Sequence, residues 1–213
     1  MSTPEGQVFQ ERAYEDIKRH YPNIEDAWTR SFESEDVPYV NAIVKEAVRY
    51  YTVSAMSLPR KAYTDINWDG ALIKAGTMIL INAQAANHEI GHFGEDAATF
   101  NPERWLETTT PPQEQASTGV QHFSFGAGSR ACSGQIIASR LLYTALIRLI
   151  ASFKIVASED EPPNTDYVDY NQFKSALVAI PRDFKVKLIL RDPEVMQTCL
   201  RQAEKRTEGA YRD

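Results

Sequence analysis

The sequence predicts a mainly helical α+β protein with small β-sheets. Apolar residues recur at helical spacing over residues 4–20, 39–51 and 135–153. Short strand-like pieces fall between turn residues in two other regions, around 60–83 and 175–190. Hydrophobic residues make up 43% of the 213 residues, enough to form a core.

Two of the three predicted helices have a proline near their start. Pro4 opens the first helix and Pro38 precedes the second, where a missing backbone N–H donor is tolerated. Each helix also carries apolar residues at helical spacing: Val8, Ala13 and Ile17 in the first, and Val40, Ile43, Val44, Ala47, Val48 and Tyr51 in the second.

The strand predictions depend on local pattern and turn residues. RKAYTDINW and TMILINA are read as strand pieces, with Asp69-Gly70 as a tight turn between them. Residues 86–122 are rich in proline, glycine and other turn formers and predict a long irregular segment. KSALVAIPRDFKVKLIL predicts two further strand pieces, broken at Pro181.

Composition bounds the domain organisation and the class of partner. We expect one domain over residues 1–191, followed by a charged C-terminal tail at 192–213 that forms a loose terminal helix. The net charge of −6 argues against nucleic acid as the main partner. Cys132 and Cys199 lie too far apart in sequence to suggest a disulfide framework. The N-terminal residues are polar and do not form a signal peptide.

Cys132 is the first candidate functional residue. It lies in FSFGAGSRACSG, directly before a predicted helix whose free N–H groups and dipole favour a thiolate, and Arg130 adds a positive charge. The sulfur could be a nucleophile with His88, His92 or His122 as base, a zinc ligand, or a ligand of haem iron. A zinc site needs about four ligands, and no second cysteine is near. An inert buried cysteine is the remaining alternative.

The spacing around Cys132 narrows these alternatives. Phe125, Gly128, Arg130, Cys132 and Gly134 match F-x-x-G-x-R-x-C-x-G, which resembles the haem-binding signature of the cytochrome P-450 superfamily. The resemblance implies the proximal part of that fold, with haem as the cofactor and Cys132 as the sulfur ligand of its iron.

A second and a third motif occur in the same order as in that superfamily. Glu46 and Arg49 read E-x-x-R, and at i and i+3 their side chains share one face of a helix. On its own such a pair is usually an exposed ion pair. Residues 100–105 read F-x-P-E-R-W, which resembles the element between the E-x-x-R helix and the cysteine, and implies that Arg104 completes a buried Glu–Arg–Arg cluster.

The resemblance also covers the haem periphery and the subgroup. Arg60 is similar to an arginine that many members use to bind a haem propionate, and Arg130 is the matching partner in the cysteine loop. The likeness runs from about Pro4 to Leu190. The local sequence is similar to fungal hydroxylases of phenylacetate-type aromatic acids, although Gln84 stands where such relatives often have tryptophan.

By resemblance, the complete enzyme is a haem-thiolate monooxygenase at the cytosolic face of the endoplasmic reticulum membrane. It takes electrons from NADPH through a reductase and oxidises a small organic substrate, which we expect to contact the loops Thr52–Pro59 and Ser175–Pro181. This chain has no predicted anchor, so by itself we expect it to be cytoplasmic.

The oxygen-handling Ala/Gly-Gly-x-Asp/Glu-Thr element of the superfamily is not found in the sequence. The threonine run at 107–110 is followed by two prolines, which excludes a helix of that kind. We therefore expect a C-terminal fragment with apolar surface exposed on the Glu46 helix and beside Cys132. Two alternatives remain, a cysteine hydrolase and a catalytically inactive haem-binding or interaction fragment.

Overall fold

The computed structural model describes residues 1–106 and 121–208. The threonine run at 107–110 lies outside these residues. The α-helices, in chain order, are α1 Pro4–His20, α2 Ile24–Arg30, α3 Pro38–Tyr51, α4 Ala83–Asn87, α5 Ile90–Phe93, α6 Gln135–Ser152 and α7 Pro193–Thr207. Short 3-10 turns form at Pro102–Trp105 and Gly128–Arg130.

The strands form small antiparallel pairs, so the predicted mainly helical α+β class is confirmed. The strands are β1 Arg60–Lys61, β2 Ile66–Trp68, β3 Ala71–Ile73, β4 Met78–Ile79, β5 Phe153–Ala157 and β6 Val186–Leu190. β1 pairs with β4, β2 with β3, and β5 with β6. Asp69 and Gly70 both have positive φ at the β2–β3 turn, as a tight two-residue hairpin turn requires.

The core lies between α1, α2, α3 and α6. Removing these apolar side chains from water is the main stabilising contribution to the fold. The buried members of this cluster are Ala13, Ile17, Tyr21, Ala27, Val37, Tyr39, Val40, Ile43, Val44, Tyr143, Ile147, Ile150 and Ala151.

Polar side chains in the core fix the helices and β5. The Asp16 carboxylate of α1 accepts the Tyr39 N–H at 3.1 Å, which satisfies a free donor at the start of α3. The Gln10 side chain accepts the N–H of Ile155 at 2.7 Å and donates to its carbonyl at 3.0 Å, as a neighbouring strand would. These hydrogen bonds fix the start of α3 and the middle of β5 relative to α1.

Several predictions about secondary structure and burial are wrong. Val8 is exposed, because the buried face of α1 runs through Gln10, Ala13 and Ile17 instead. Residues 175–180 do not form a strand, and the only ladder contact near them is the bridge between Asn171 and Pro181. The expectation of exposed apolar surface on α3 is right only in part, because Val40, Ile43 and Val44 are buried, while Ala47, Val48 and Tyr51 are partly exposed.

The described part of the irregular segment contains helices that were not expected, whereas the tail forms a terminal helix as expected. α4 begins before residue 86, and α5 lies inside the part of 86–122 that the structure describes. Most of residues 192–213 form α7, which packs on α2 and buries Cys199.

α6 is the helix that leads away from Cys132. Its length and composition would be sufficient to cross a membrane, a criterion that many core helices also meet. In the described part of the chain it packs against α1, α2 and α3.

Candidate functional site

The Cys132 loop is a short, backbone-braced turn before α6. The Cys132 N–H donates to the Phe125 carbonyl at 2.8 Å, and the Gly126 N–H donates to the Phe123 carbonyl at 2.9 Å. These bonds close the loop, and the thiol itself is exposed. The sulfur is therefore held on a fixed backbone and remains accessible.

Two glycines of the cysteine loop are required by backbone conformation. Gly126 has φ 74° and Gly128 has φ 65°, a region that favours glycine. A Cβ added at Gly128 would meet nothing within 4 Å, so its conformation rather than space limits this position. At Gly134, a Cβ would lie 3.8 Å from the Cys132 sulfur, an ordinary contact. Neither space nor backbone conformation therefore requires glycine at position 134 in the structure.

The structure brings Arg60 and Arg130 together at the edge of the cysteine loop. The Arg60 Nη2 donates to the Arg130 carbonyl at 3.3 Å, and both residues are exposed. Ile136 and Ile137 on α6 are also exposed beside this loop in the sequence. An exposed thiol, two guanidiniums and apolar surface are the groups that fit a haem, which has an iron, two carboxylates and an apolar ring.

The other predicted uses of Cys132 find no support among the described residues. None of the histidines makes a hydrogen bond with the Cys132 thiol, so no base for a nucleophile is in place. No group of three His, Cys, Asp or Glu side chains in residues 1–106 and 121–208 could hold a metal ion together. The exposure of the thiol also argues against an inert buried cysteine.

Glu46 and Arg49 form a fully buried, two-bond ion pair on α3. Arg49 Nε lies 2.8 Å from Glu46 Oε2, and Arg49 Nη2 lies 2.7 Å from Oε1. Both residues have 0% exposure. The same carboxylate accepts Arg104 Nε at 3.2 Å, the Asn101 N–H at 2.8 Å and Trp105 Nε1 at 2.8 Å. The three residues of the expected cluster are thus in direct contact.

The remaining donors of the two arginines bind the segment that follows α4. Arg49 donates to the carbonyls of Asn87, Ala97 and Thr99 at 2.6, 2.8 and 3.1 Å. Arg104 donates to the Phe93 carbonyl at 2.9 Å and reaches both carboxylate oxygens of Asp96. The cluster therefore holds this segment against α3.

Asp96 is a member of the cluster that the sequence reasoning missed. It gives the two arginines a second carboxylate, so the cluster is neutral overall. Burial alone would raise the pKa of Asp96, but the hydrogen bond from Asn101 and the charge of Arg104 outweigh it and lower the pKa. No motif identified Asp96, whose role depends on a contact with a residue eight positions later.

Asn87 is a second missed residue and links the cluster to the cysteine loop. Its side chain accepts the Phe123 N–H at 2.7 Å and donates to the hydroxyls of Ser124 and Thr52, each at 2.9 Å. The backbone carbonyl of Asn87 accepts a hydrogen bond from Arg49. Asn87 has 0% exposure, so these bonds satisfy an otherwise costly buried amide.

The two loops expected to contact substrate lie side by side. The Ala179 N–H donates to the Val53 carbonyl at 2.7 Å, which joins Ser175–Pro181 to Thr52–Pro59. The Tyr170 hydroxyl donates to the Tyr51 carbonyl at 2.9 Å, close to the start of the first loop. Both loops present exposed apolar side chains: Val53, Met56, Leu58, Leu177, Val178 and Ile180.

A large apolar groove of about 670 Å³ lies between α1, α3 and α6, with side chains such as Phe9, Tyr51 and Leu146 in its walls. We expected such a groove beside Cys132. This one runs along the later turns of α6, where Leu142, Leu146 and Leu149 line it, and the Cys132 loop is not part of its walls.

His122 gives a testable pH dependence. It is buried between the rings of Trp105 and Phe125, and burial lowers its pKa to about 4, helped by the charges of Lys45 and Arg49. Because the unfolded chain takes up a proton near pH 6.5 and the folded chain does not, the free energy of unfolding should fall between pH 6.5 and 4. His122 should contribute about 3 kcal/mol of this fall.

Urea unfolding at several pH values measures this effect. His122→Phe should flatten the pH dependence of the unfolding free energy in this window, because it removes the group that takes up the proton. Equal slopes for His122→Phe and wild type would contradict the assignment.

Comparisons with known proteins agree with this geometry. The family model for cytochrome P450 matches residues 5–188. Phenylacetate 2-hydroxylase of Emericella nidulans is 38% identical over 98% of this chain and 39% of its own length. The 3-hydroxyphenylacetate 6-hydroxylase of the same fungus is 36% identical over 71% of the chain and 27% of its own length.

A cytochrome P450 monooxygenase of Mycosarcoma maydis is 34% identical over 84% of the chain and 32% of its own length. The chain thus spans at most about two fifths of these relatives. The expected similarity to fungal phenylacetate hydroxylases is confirmed.

Proposed function

Because the chain belongs to the cytochrome P450 family, we propose that it is the cysteine-bearing part of a haem-thiolate monooxygenase. Cys132 Sγ is the proposed ligand of the haem iron. The observation that carries the proposal is the exposed thiol on a hydrogen-bonded glycine loop with Arg60 and Arg130 beside it.

The chain's own residues would bind and orient the cofactor. Arg60 and Arg130 would supply two cations for the two haem propionates, and Arg60 is held beside the loop by its bond to the Arg130 carbonyl. Phe125, Gly128 and Gly134 shape the loop, and Cys132 donates electron density to the iron through its sulfur. When bound, haem supplies the iron centre that activates dioxygen for insertion of one oxygen atom into the substrate.

The proposed substrate is a small aromatic acid. Two relatives are named as hydroxylases of phenylacetate or of a hydroxyphenylacetate. The apolar side chains of the hydrogen-bonded loops Thr52–Pro59 and Ser175–Pro181 suit an aromatic ring.

The proposed electron source is NADPH, through a cytochrome P-450 reductase. Two electrons from NADPH balance the reduction of the second oxygen atom to water. For a longer protein that contains this chain, we propose the cytosolic face of the endoplasmic reticulum membrane, where such a reductase would meet it.

A second candidate function is haem binding or interaction without oxygenase activity. The exposed Cys132 thiol and the neighbouring Arg60 would bind a haem equally well in such a protein.

Oxygen incorporation separates the two functions. The haem-loaded protein is mixed with reductase, NADPH, phenylacetate and isotopically labelled dioxygen, and the product is analysed by mass spectrometry. A monooxygenase gives hydroxylated product with one labelled atom, and Cys132→Ser gives none. Haem bound through sulfur with no labelled product would favour the alternative.

A further inference from the structure

The side-chain amide of Asn87 joins two loops that have separate proposed tasks. We infer that Asn87 is a positioning residue that holds the Cys132 loop and the Thr52–Pro59 loop at a fixed separation. The inference rests on the proposed function for the meaning of the two loops, as the sites of haem and of substrate. The coupling itself follows from the hydrogen bonds.

The hydrogens around Asn87 show why an amide is needed. The Thr52 hydroxyl donates to the Arg49 carbonyl at 2.6 Å, and the Ser124 hydroxyl donates to the Val48 carbonyl at 2.7 Å. Each hydroxyl has a single hydrogen, so towards Asn87 both can only accept. The Asn87 NH₂ group supplies the two donors, while its oxygen accepts from Phe123.

On one side, these bonds reach Cys132 in a few steps. Asn87 binds the backbone of Phe123 and the side chain of Ser124. The Phe123 carbonyl accepts the Gly126 N–H, and the Phe125 carbonyl accepts the Cys132 N–H. Asn87 therefore fixes the start of the loop whose end carries the sulfur.

On the other side, Asn87 fixes the start of the substrate loop. Thr52 ends α3 in the left-handed region, with φ 39°, a conformation that is strained for a β-branched residue and needs support. The backbone carbonyl of the next residue, Val53, accepts the Ala179 N–H, so the Ser175–Pro181 loop is also fixed relative to Asn87.

Asn87 is itself held by the charge cluster. Its carbonyl accepts Arg49 Nη1 at 2.6 Å, and Arg49 is paired with Glu46. The cluster thus fixes the backbone of Asn87, and the side-chain amide of Asn87 in turn fixes the start of both loops by its hydrogen bonds.

Asn87→Asp is the discriminating substitution because it keeps the shape and removes the donors. A carboxylate would face two hydroxyl oxygens that have no hydrogen to offer, and it could still accept from Phe123. Asn82→Asp is the matched control. Asn82 is exposed, and its side-chain oxygen caps α4 by accepting the Ala85 N–H, which aspartate does equally well.

Hydrogen exchange of the two loops tests the coupling without any enzymatic activity. The probes are the bonded amides of Thr52 and Ser57 in one loop and of Phe123, Gly126 and Cys132 in the other. Asn87→Asp should speed exchange in both sets by about tenfold or more, which corresponds to ~1.4 kcal/mol of local stability. Asn82→Asp should leave both sets unchanged. Faster exchange in only one loop, or in neither, would overturn the inference.

Two further variants separate positioning from general loss of structure. In the haem-loaded protein, Thr52→Val should weaken the binding of phenylacetate by about tenfold or more, the same ~1.4 kcal/mol, with the haem spectrum unchanged. Ser124→Ala should alter the reduced carbon-monoxide spectrum and leave substrate binding unchanged. Identical effects of the two variants on both readouts would overturn the inference.

Misfolding of Asn87→Asp and failure of haem binding can each be distinguished from failure of the positioning role. If Asn87→Asp does not fold, the double variant Thr52→Val/Ser124→Ala removes the same two bonds without adding a charge, and it must loosen both loops. If both loops loosen but no variant binds haem through sulfur, the proposed function fails while the positioning role stands. If the wild-type protein binds haem through sulfur but Asn87→Asp leaves the exchange of both loops unchanged, the positioning role fails while the proposed function stands.

Discussion

Replacing Cys132 with serine should abolish the reduced carbon-monoxide absorption band that gives the P450 family its name. Serine keeps the size of the side chain and the backbone bond from residue 132 to the Phe125 carbonyl. It removes only the sulfur, and the band depends on a thiolate that donates electron density to the iron. The loss should be complete, because no other cysteine lies in the loop.

Cys199→Ser is the matched control for this experiment. Cys199 is buried on α7, which packs on α2, so its replacement should leave the band in place. A band that survives in Cys132→Ser, or disappears in Cys199→Ser, would show that the ligand is assigned to the wrong residue.

Glu46→Gln should lower the free energy of unfolding by about 3–5 kcal/mol, the effect of breaking a buried ion pair. Glu46 Oε1 accepts from Arg49, Arg104 and the Asn101 N–H, and Oε2 accepts from Arg49 and Trp105. Whichever way a glutamine amide is turned, its NH₂ group faces at least two donors. The substitution also leaves the buried Arg49 and the largely buried Arg104 with a single carboxylate, Asp96.

Urea titration of Glu46→Gln and Glu103→Gln measures this difference. Glu103 directly precedes Arg104 and pairs with Arg12, but both side chains of this pair are about half exposed. Such pairs contribute less than ~1 kcal/mol, so Glu103→Gln should be close to wild type. Equal stability of the two variants would mean that the cluster does not hold the fold together.

The helices that sequence could predict are those in which local pattern and core burial agree. α1, α3 and α6 have apolar positions at helical spacing, and Asp69-Gly70 marks the β2–β3 turn. α2 was missed because its seven residues carry too few apolar positions to form a stripe. Residues 175–180 were read as a strand because they are apolar. They are apolar on an exposed loop, which suits contact with another molecule rather than with a sheet.

Some residues of the candidate site could be predicted from local sequence, and others could not. The spacing of Glu46 and Arg49 and the glycine pattern around Cys132 are local, so the sequence shows them directly. Asp96 and Asn87 act through contacts that only the folded backbone creates, such as the bond from Asn87 to Ser124, 37 residues away. No periodicity or motif of this single sequence encodes those contacts.

The most direct test of the central claim is iron K-edge X-ray absorption of the haem-loaded protein. It identifies the atoms bound to the iron without relying on catalysis, a reductase or a substrate. We predict a sulfur atom in the first coordination shell of the wild-type protein and its loss in Cys132→Ser. A first shell of nitrogen and oxygen atoms alone in the wild type would contradict the assignment of Cys132 as the haem ligand.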